Sequence, residues 1–467
     1  MESKSRNRIL LVLFIGVLMG ALDIAIVGPA LPAIRKSFGV DDRAVAWIFT
    51  TYVLFNLISV PLMGKLSDLF GRRAIYILNV SLFACGSLIV ALSPDLNALL
   101  LGRAIQGLGA GGVFPVASAV IGDTFPPEKR GSALGLIGAV FGIAFLVGPL
   151  LAGAILFFVS WHWLFIVNLP LALIVIAMAS RLLPHARAAQ QRQFDFLGMA
   201  ALAVMLAALT FGVNQLDTKN LAPSIASMNV LPFLGLVIVL FPVFLAIETR
   251  AGNPVVRLSL FQARQVQVIA LVAMGAGLGE AAIVFVPALV VAAFGVTSSS
   301  ASFMLLPAVL AMAFGSPTAG RMLDRVGSRS VLLIGTALTT AGLFVIAFLG
   351  ANIIFFYVSV LLAGVGLGVL LGAPLRYVML NEAPASERAS AQAVLTLFTS
   401  TGQLVGGAMV GAVAASFGGG VNGYTAAFLA VGSVMLAMTA LTLALKNRAA
   451  VLDTARQNHE TVETQHA

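Results

Sequence analysis

The chain has 467 residues, 60% of them apolar and only 10% charged, with a formal net charge of +9 and a mean hydropathy of +1.03. A soluble protein carries about 25% charged residues, so that class is excluded, and the short alternating segments of a β-barrel are not seen. Lys and Arg accumulate in the cytoplasmic loops of membrane proteins, so the positive balance needs no nucleic-acid partner, and a single Cys85 allows no internal disulfide and argues against a metal cluster.

Apolar runs of roughly 20 residues can each cross a hydrocarbon core about 30 Å thick. With their breakers they predict about fourteen helices, near 9–32, 44–63, 74–92, 97–121, 131–157, 163–183, 196–215, 230–247, 266–293, 301–319, 330–350, 353–375, 391–415 and 424–445. Lys4, Arg6 and Arg8 before the first run imitate a signal peptide. That run reaches about residue 32 and contains Asp23, too long and too polar for a signal core, so it is read as a retained first span. An even count returns both termini to one side. That side holds Lys4, Arg6, Arg8, Lys65, Arg72, Arg73, Lys129, Arg130 and most later basic residues, whereas the opposite side holds Arg35, Lys36, Arg43 and Lys219. Both termini are therefore expected in the cytoplasm. The polar tail 447–467 is expected to be disordered.

The chain repeats itself. "GKLSDLFGRR" at 64–73 returns as "GRMLDRVGSR" at 320–329, "KRGSA" at 129–133 as "ERASA" at 387–391, and "LVGPLLAGA" at 146–154 as "LVGGAMVGA" at 404–412. Three landmarks in one order and near one offset predict two six-helix halves, 1–183 and 266–446. Residues 184–265 form an insert with two extra helices. An even insert keeps the halves parallel about an axis along the membrane normal. Each decapeptide is read as a short turn between the second and third helices of its half, with Gly64 and Gly71 permitting the turn. Asp68 is expected near the N-terminus of the next helix, where the dipole favours an anion. Orientation alone explains the arginines, but not why glycine, aspartate and glycine return at matching places.

"GKLSDLFGRR" resembles the signature loop of the major facilitator superfamily. "GRAIQGLGAGG" (102–112) is similar to its fourth-helix motif, with Arg103, Gln106 and Gly107 at matching places, and "VGPLLAG" (147–153) to its fifth-helix antiporter motif. "LDIAIVGPALP" (22–32) and "WHWLFIVNLP" (161–170) resemble the first- and sixth-helix signatures of the fourteen-helix drug:proton antiporters, the EmrB/QacA type. His162 stands where that pattern has an arginine, and Ala144 and Ala152 stand where it has glycines. The resemblance implies an all-α membrane protein with the major facilitator fold: two six-helix bundles plus two extra transmembrane helices between them. It implies proton-coupled efflux of lipophilic, cationic drugs or toxic compounds by a monomer in the cell's inner membrane, with no cofactor beyond the proton gradient. Its partners would be the small-molecule substrate, protons and membrane lipids, with a periplasmic adaptor protein left open. A carrier of the same fold for a lipid, siderophore or metabolite, proton-coupled or facilitated, fits the same residues.

An ionisable side chain within a bilayer is expensive and is by default a functional hypothesis. Asp23 and Glu280 each lie about 14 residues into a span, roughly 21 Å deep, and Arg103 lies at a similar level. Asp23 and Glu280 occupy matching places in the two halves, on helices that line the central cavity in the superfamily. A carboxyl held away from water takes a proton more easily, which suits a proton carrier. Arg103 is expected to pair with Asp23. Its counterpart in the second half is Leu361, so Glu280 is the expected proton and cation site. A static bridge between the first and fourth helices is the structural alternative for Asp23 and Arg103, and a polar helix contact is the alternative for Glu280, whose small neighbours Gly275, Gly277, Gly279, Ala281 and Ala282 fit tight packing as well as a cavity. Asp68, Arg72, Asp123 and Arg130 are expected to form a cytoplasmic latch, repeated by Asp324 and Arg325. Gly131, Gly135, Gly138 and Gly142 fall on one helix face and let backbones approach closely. With Gly148, Pro149 and Gly153 they are expected to pack as the antiporter seam. An enzyme is not expected: the histidines (162, 185, 459 and 466) fall at loops, helix ends or the tail, and no HExxH occurs.

Overall fold

The computed structural model describes residues 3–184, 195–252, 254–382 and 388–447; among these, the side chains of 3–5, 127–132, 134–135, 138–139, 141–142, 324 and 388–390 fall outside the description. All regular elements described are helical. The first eight are α1 (Ser3–Phe38), α2 (Asp42–Phe70), α3 (Arg72–Ala91), α4 (Leu96–Thr124), α5 (Pro127–Phe158), α6 (Trp163–Ile166 continuing as Asn168–Leu182), α7 (Phe196–Asn214) and α8 (Leu231–Arg250). The other six are α9 (Arg264–Val284 continuing as Val286–Phe294), α10 (Ser298–Met304 continuing as Leu306–Val326), α11 (Ser328–Leu349), α12 (Ile353–Leu371 continuing as Ala373–Glu382), α13 (Arg388–Ser416) and α14 (Gly420–Thr442). Among the described residues 13 helices are long and apolar enough to cross a membrane, and Ile143–Phe158 is a shorter apolar stretch. That stretch belongs to α5, a helix of 32 residues. In chain order, six of these helices precede α7 and α8 and six follow them.

Local chemistry sets the helix ends. Asp41, Asp95 and Asn352 each accept a hydrogen bond from a backbone N–H in the first turn of α2, α4 and α12, at 2.8, 2.8 and 2.9 Å. Such caps satisfy donors that the helix leaves unpaired. The two decapeptides are mostly helix, not loop. Gly64 and Gly320 lie inside α2 and α10, and the turn is one residue, Gly71 (φ 97°) or Gly327 (φ 83°), in a region that L side chains avoid. Asp68 consequently sits in the last turn of α2. Four expected single spans are each in two pieces. The interruptions at Phe285, Leu305 and Gly372 each fall two residues before a proline, Pro287, Pro307 and Pro374. Proline removes one helix hydrogen bond and its ring crowds the carbonyl a turn earlier. The interruption of α6 at Val167 precedes Pro170 by three.

The described chain forms two compact units. One comprises Met1–Ala207 with Val286–Leu306, and the other Ala208–Phe285 with Pro307–Ala467. Two of the proline interruptions thus coincide with the unit boundary. Inside the first unit, Val286–Phe294 packs on α1 and Ser298–Met304 packs on α5. Inside the second, Lys446 pairs with Glu382 at 2.7 Å and its backbone N–H donates to Gln265 Oε1 at 2.8 Å, tying the ends of α9, α12 and α14 together.

Glycine determines how closely the helices meet. A Cβ at Gly107 would lie 2.5 Å from the Tyr52 carbonyl oxygen of α2, and one at Gly109 would lie 2.5 Å from the Asn79 carbonyl oxygen of α3. Gly111 again abuts α2, at Asn56. The second unit repeats the device at the same offset: Gly364 and Gly368 abut α10 at Ala308 and Met312, and Gly366 abuts α11 at Thr339. Between α9 and α13 the approach is closer still, Gly277 against the Thr399 carbonyl and Gly402 against the Met274 carbonyl. Backbone contact of this kind lets van der Waals packing hold helices that lipid does not drive together.

A paired substitution tests this. Gly402→Val must push α9 away, so its thermal unfolding midpoint in detergent should fall, at a cost of about 1–3 kcal/mol for overpacking. Gly64→Ala, whose Cβ meets nothing within 4 Å, should hold or raise the midpoint, since alanine in a helix interior is favoured by about 1 kcal/mol. A Gly402→Val protein as stable as the parent would refute the contact.

Candidate functional site

Five helices of the first unit converge on Asp23. Its Oδ2 accepts from Arg103 Nη1 at 2.6 Å, and both side chains are fully buried. Its Oδ1 accepts from Gln106 Nε2 at 3.1 Å and from Asn168 Nδ2 at 3.3 Å. Those two amides also donate to Ser87 Oγ, at 2.7 and 3.4 Å. Arg103 Nε donates to the Ile48 carbonyl at 3.0 Å, its Nη1 also reaches Gln106 Oε1 at 2.9 Å, and the guanidinium lies 4.2 Å from the centre of the Tyr52 ring. Arg103 and Gln106 are three residues apart, on one face of α4. Every partner of the Asp23 carboxyl is a donor, as an ionised carboxylate requires. A planar guanidinium suits the site: it bonds a carbonyl and a carboxylate at once and lies over an aromatic face, which an ammonium cannot copy. Arg103 Nη2 is buried without a partner among the described residues.

Glu280 belongs to the second unit and is half-buried. Its Oε2 accepts from Gln403 Nε2 of α13 at 2.8 Å. No basic side chain pairs with it among the described residues. The two carboxyls at matching places in the repeat therefore have different surroundings, one an arginine and two amides, the other a single amide.

At the α2–α3 junction Arg72 is nearly buried and gathers three partners. It pairs with Asp68, its Nε meets Asp123 Oδ2 at 3.0 Å, and its Nη1 donates to Ser67 Oγ at 2.7 Å. Arg325 is exposed. The side chains of Arg130 and Asp324, expected in the same latch, lie outside the described residues, as do the surroundings of Gly131, Gly135, Gly138 and Gly142. Gly148 abuts Ala25 of α1, Pro149 is buried, and Gly153 carries the Phe303 ring against it. The Gly153 carbonyl accepts from Ser299 Oγ at 2.6 Å. Ala144 and Ala152 are fully buried. His162 stacks on Trp161 with ring centres 3.7 Å apart, and loss of solvation holds its imidazole below the usual histidine pKa.

A family model described as Major Facilitator Superfamily matches residues 13–263 and 268–464. The chain belongs to the major facilitator superfamily. It is 33% identical over 406 residues to the uncharacterized MFS-type transporter YfiU of Bacillus subtilis (strain 168), which covers 86% of this chain and 78% of that one. It is 29% identical over 420 residues to the multidrug transporter protein MdtP of the same organism, covering 88% and 76%. Multidrug resistance protein 3 of that organism is 33% identical over 266 residues, 56% of this chain and 51% of its own. Solved structures share the fold. The nucleoside transporter NupG aligns with a TM-score of 0.66 at 14% identity over 95% of this chain and 100% of that one. A bacterial homolog of the human lysosomal transporter Spinster gives 0.69 at 14% identity over 98% and 99%.

Membership of the superfamily makes this a multi-pass membrane transporter of small molecules. Within that frame the structure adds neutral residues that a search for charge passed over. Ser87, Asn168 and Gln403 are uncharged, and each sits in an apolar run. Asn168 lay inside the quoted sixth-helix signature, so its place there was a usable signal. Ser87 and Gln403 carry no such mark, though polar amides at the level of Asp23 and Glu280 could have been sought.

Removing one member of a buried ion pair strands the other and costs about 3–5 kcal/mol. Asp23→Leu and Arg103→Leu should each lower the thermal midpoint in detergent sharply. The double variant should lose less than the two single losses added together. Additive losses would mean that the two groups do not pair.

Proposed function

We propose that the protein exports lipophilic, cationic drugs or toxic compounds in exchange for protons, as a fourteen-helix antiporter of the EmrB/QacA type working by alternating access. The observation that carries this reading is the pair of membrane-embedded carboxyls in unlike settings. Asp23 is fully buried against Arg103, whereas Glu280 is half-buried beside an amide. Charge inside a bilayer is retained where it serves transport. Relatives named as multidrug transporters support the choice of cargo. In this reading Glu280 takes the proton or the cationic group of the drug, and Asp23 with Arg103 rearranges between states. Arg72, Asp68 and Asp123 with Arg130, and Asp324 with Arg325, form the cytoplasmic latch, and Gly135, Gly148, Pro149 and Gly153 the antiporter seam.

The proposed organisation is a half at 1–183, an insert at 184–265, a half at 266–446 and a tail at 447–467, in the inner membrane with both termini cytoplasmic. No cofactor is required. A proton moving inward gains about 2.3 kcal/mol per 100 mV, enough for uphill export when coupling is tight.

Everted membrane vesicles test the reading. Adding ethidium, a fluorescent lipophilic cation, to energised vesicles should release protons and accumulate dye. Glu280→Gln and Asp23→Asn should each reduce both signals at least tenfold. Dye accumulation that persists without a proton gradient would favour a facilitator, and proton-coupled transport intact in both variants would defeat the site assignment.

A further inference from the structure

Gln403 is placed with unusual constraint. It lies on α13 one residue after Gly402, which abuts the Met274 carbonyl of α9. A Cβ at Gly277 would in turn lie 2.9 Å from the backbone nitrogen of Gln403. Gly277 precedes Glu280 by three residues, so the two glycines clamp the backbones of α9 and α13 where the two side chains meet. The amide reaches the carboxyl at 2.8 Å and takes only its Oε2. Oε1 has no hydrogen bond among the described residues.

The elements packed against Arg264–Val284, the piece of α9 that carries Glu280, are α12, α13, α14 and the short helix Leu258–Gln262. Charged and titratable groups on them, such as Glu382, Arg376 and Tyr377 of α12, form no hydrogen bond or ion pair with Glu280 among the described residues. Among the described residues, Gln403 is the side chain that hydrogen-bonds to it.

We propose that Gln403 is a positioning residue that holds the Glu280 carboxyl in one place through a cycle of protonation. This rests on the reading of Glu280 as the proton and cation site. A side-chain amide has both a donor and an acceptor. With Glu280 ionised, Nε2 donates to Oε2. When a proton from water binds the carboxylate, the amide turns over and Oε1 of Gln403 accepts the new O–H. When the proton leaves to water, the first arrangement returns. An arginine or lysine could serve only the ionised form, and an aliphatic side chain neither. Oε1 of Glu280 stays open throughout for water or for the positive group of a substrate.

The experiment reads the protonated carboxyl directly, without transport. A hydrophobic carbodiimide, dicyclohexylcarbodiimide, adds to protonated membrane carboxylic acids. Mass spectrometry of the Glu280 peptide then gives the labelling rate in the purified full chain at neutral pH. Gln403→Met keeps the volume and removes the amide; Gln403→Leu is the second variant. A charge-assisted hydrogen bond is about twice as strong as a neutral one. Losing both therefore leaves more acid, and labelling should quicken about fivefold. In vesicles, Gln403→Met should slow ethidium-driven proton release severalfold.

Labelling at the rate of the parent protein in both variants overturns the proposal. Faster labelling with slower proton release supports it. Parent-like proton release in Glu280→Gln would instead overturn the underlying reading of Glu280, an outcome that the labelling rates do not share.

Discussion

A bilayer core offers no water to a stranded charge, and this constraint organises the first unit around Asp23. The carboxyl stays inside because Arg103, Gln106 and Asn168 all donate to it. The guanidinium stays because a carbonyl, a carboxylate, an amide oxygen and an aromatic face receive it. No single helix supplies these groups, so the network exists only when α1, α2, α3, α4 and α6 are assembled. Desolvation of this kind seldom adds net stability, but it penalises every assembly that leaves one member alone. The pair therefore specifies the bundle more than it strengthens it.

Such a network needs helices at very short range, and glycine provides the range. Gly107 and Gly111 bring α4 against α2 while Gly109 brings it against α3. These are the helices that carry Arg103, Gln106, Tyr52 and Ser87. The second unit uses Gly364, Gly368 and Gly366 in the same sense, and their register puts the buried Val360 where Arg103 stands, not the exposed Leu361 that the sequence repeat suggested. The close packing recurs in both halves, while the buried ion pair occurs in one. The backbone contacts are thus a property of the fold, and the ion pair is an addition to it.

The spans were legible because hydropathy and length are strong signals, and the repeat was legible through the decapeptides. Their local structure was misread. Gly64 and Gly320 look like turn residues, but nothing in the neighbouring sequence stops α2 or α10 before Gly71 and Gly327, where the positive φ falls. The interruptions of α9, α10 and α12 could have been read from Pro287, Pro307 and Pro374. A proline within a long apolar run does not by itself declare whether the helix bends or breaks, since neighbouring helices can re-satisfy the freed carbonyl. At the site, charge pointed to Asp23, Arg103 and Glu280. The amides that hold them are neutral, and which amide meets which carboxyl is decided by contacts between residues 80 to 145 positions apart.

The two carboxyls share a place in the repeat and differ in what answers them. Asp23 is met by a cation that cannot lose its proton in a protein and that lies 2.6 Å from its carboxyl. Glu280 is met by an amide, a group that can hydrogen-bond either form of a carboxyl. One carboxyl is held by a single amide, and the other by a guanidinium and two amides. Both carboxyls lie at matching places in the repeat, on α1 and α9, so the difference between them comes from the helices packed around each and not from their own.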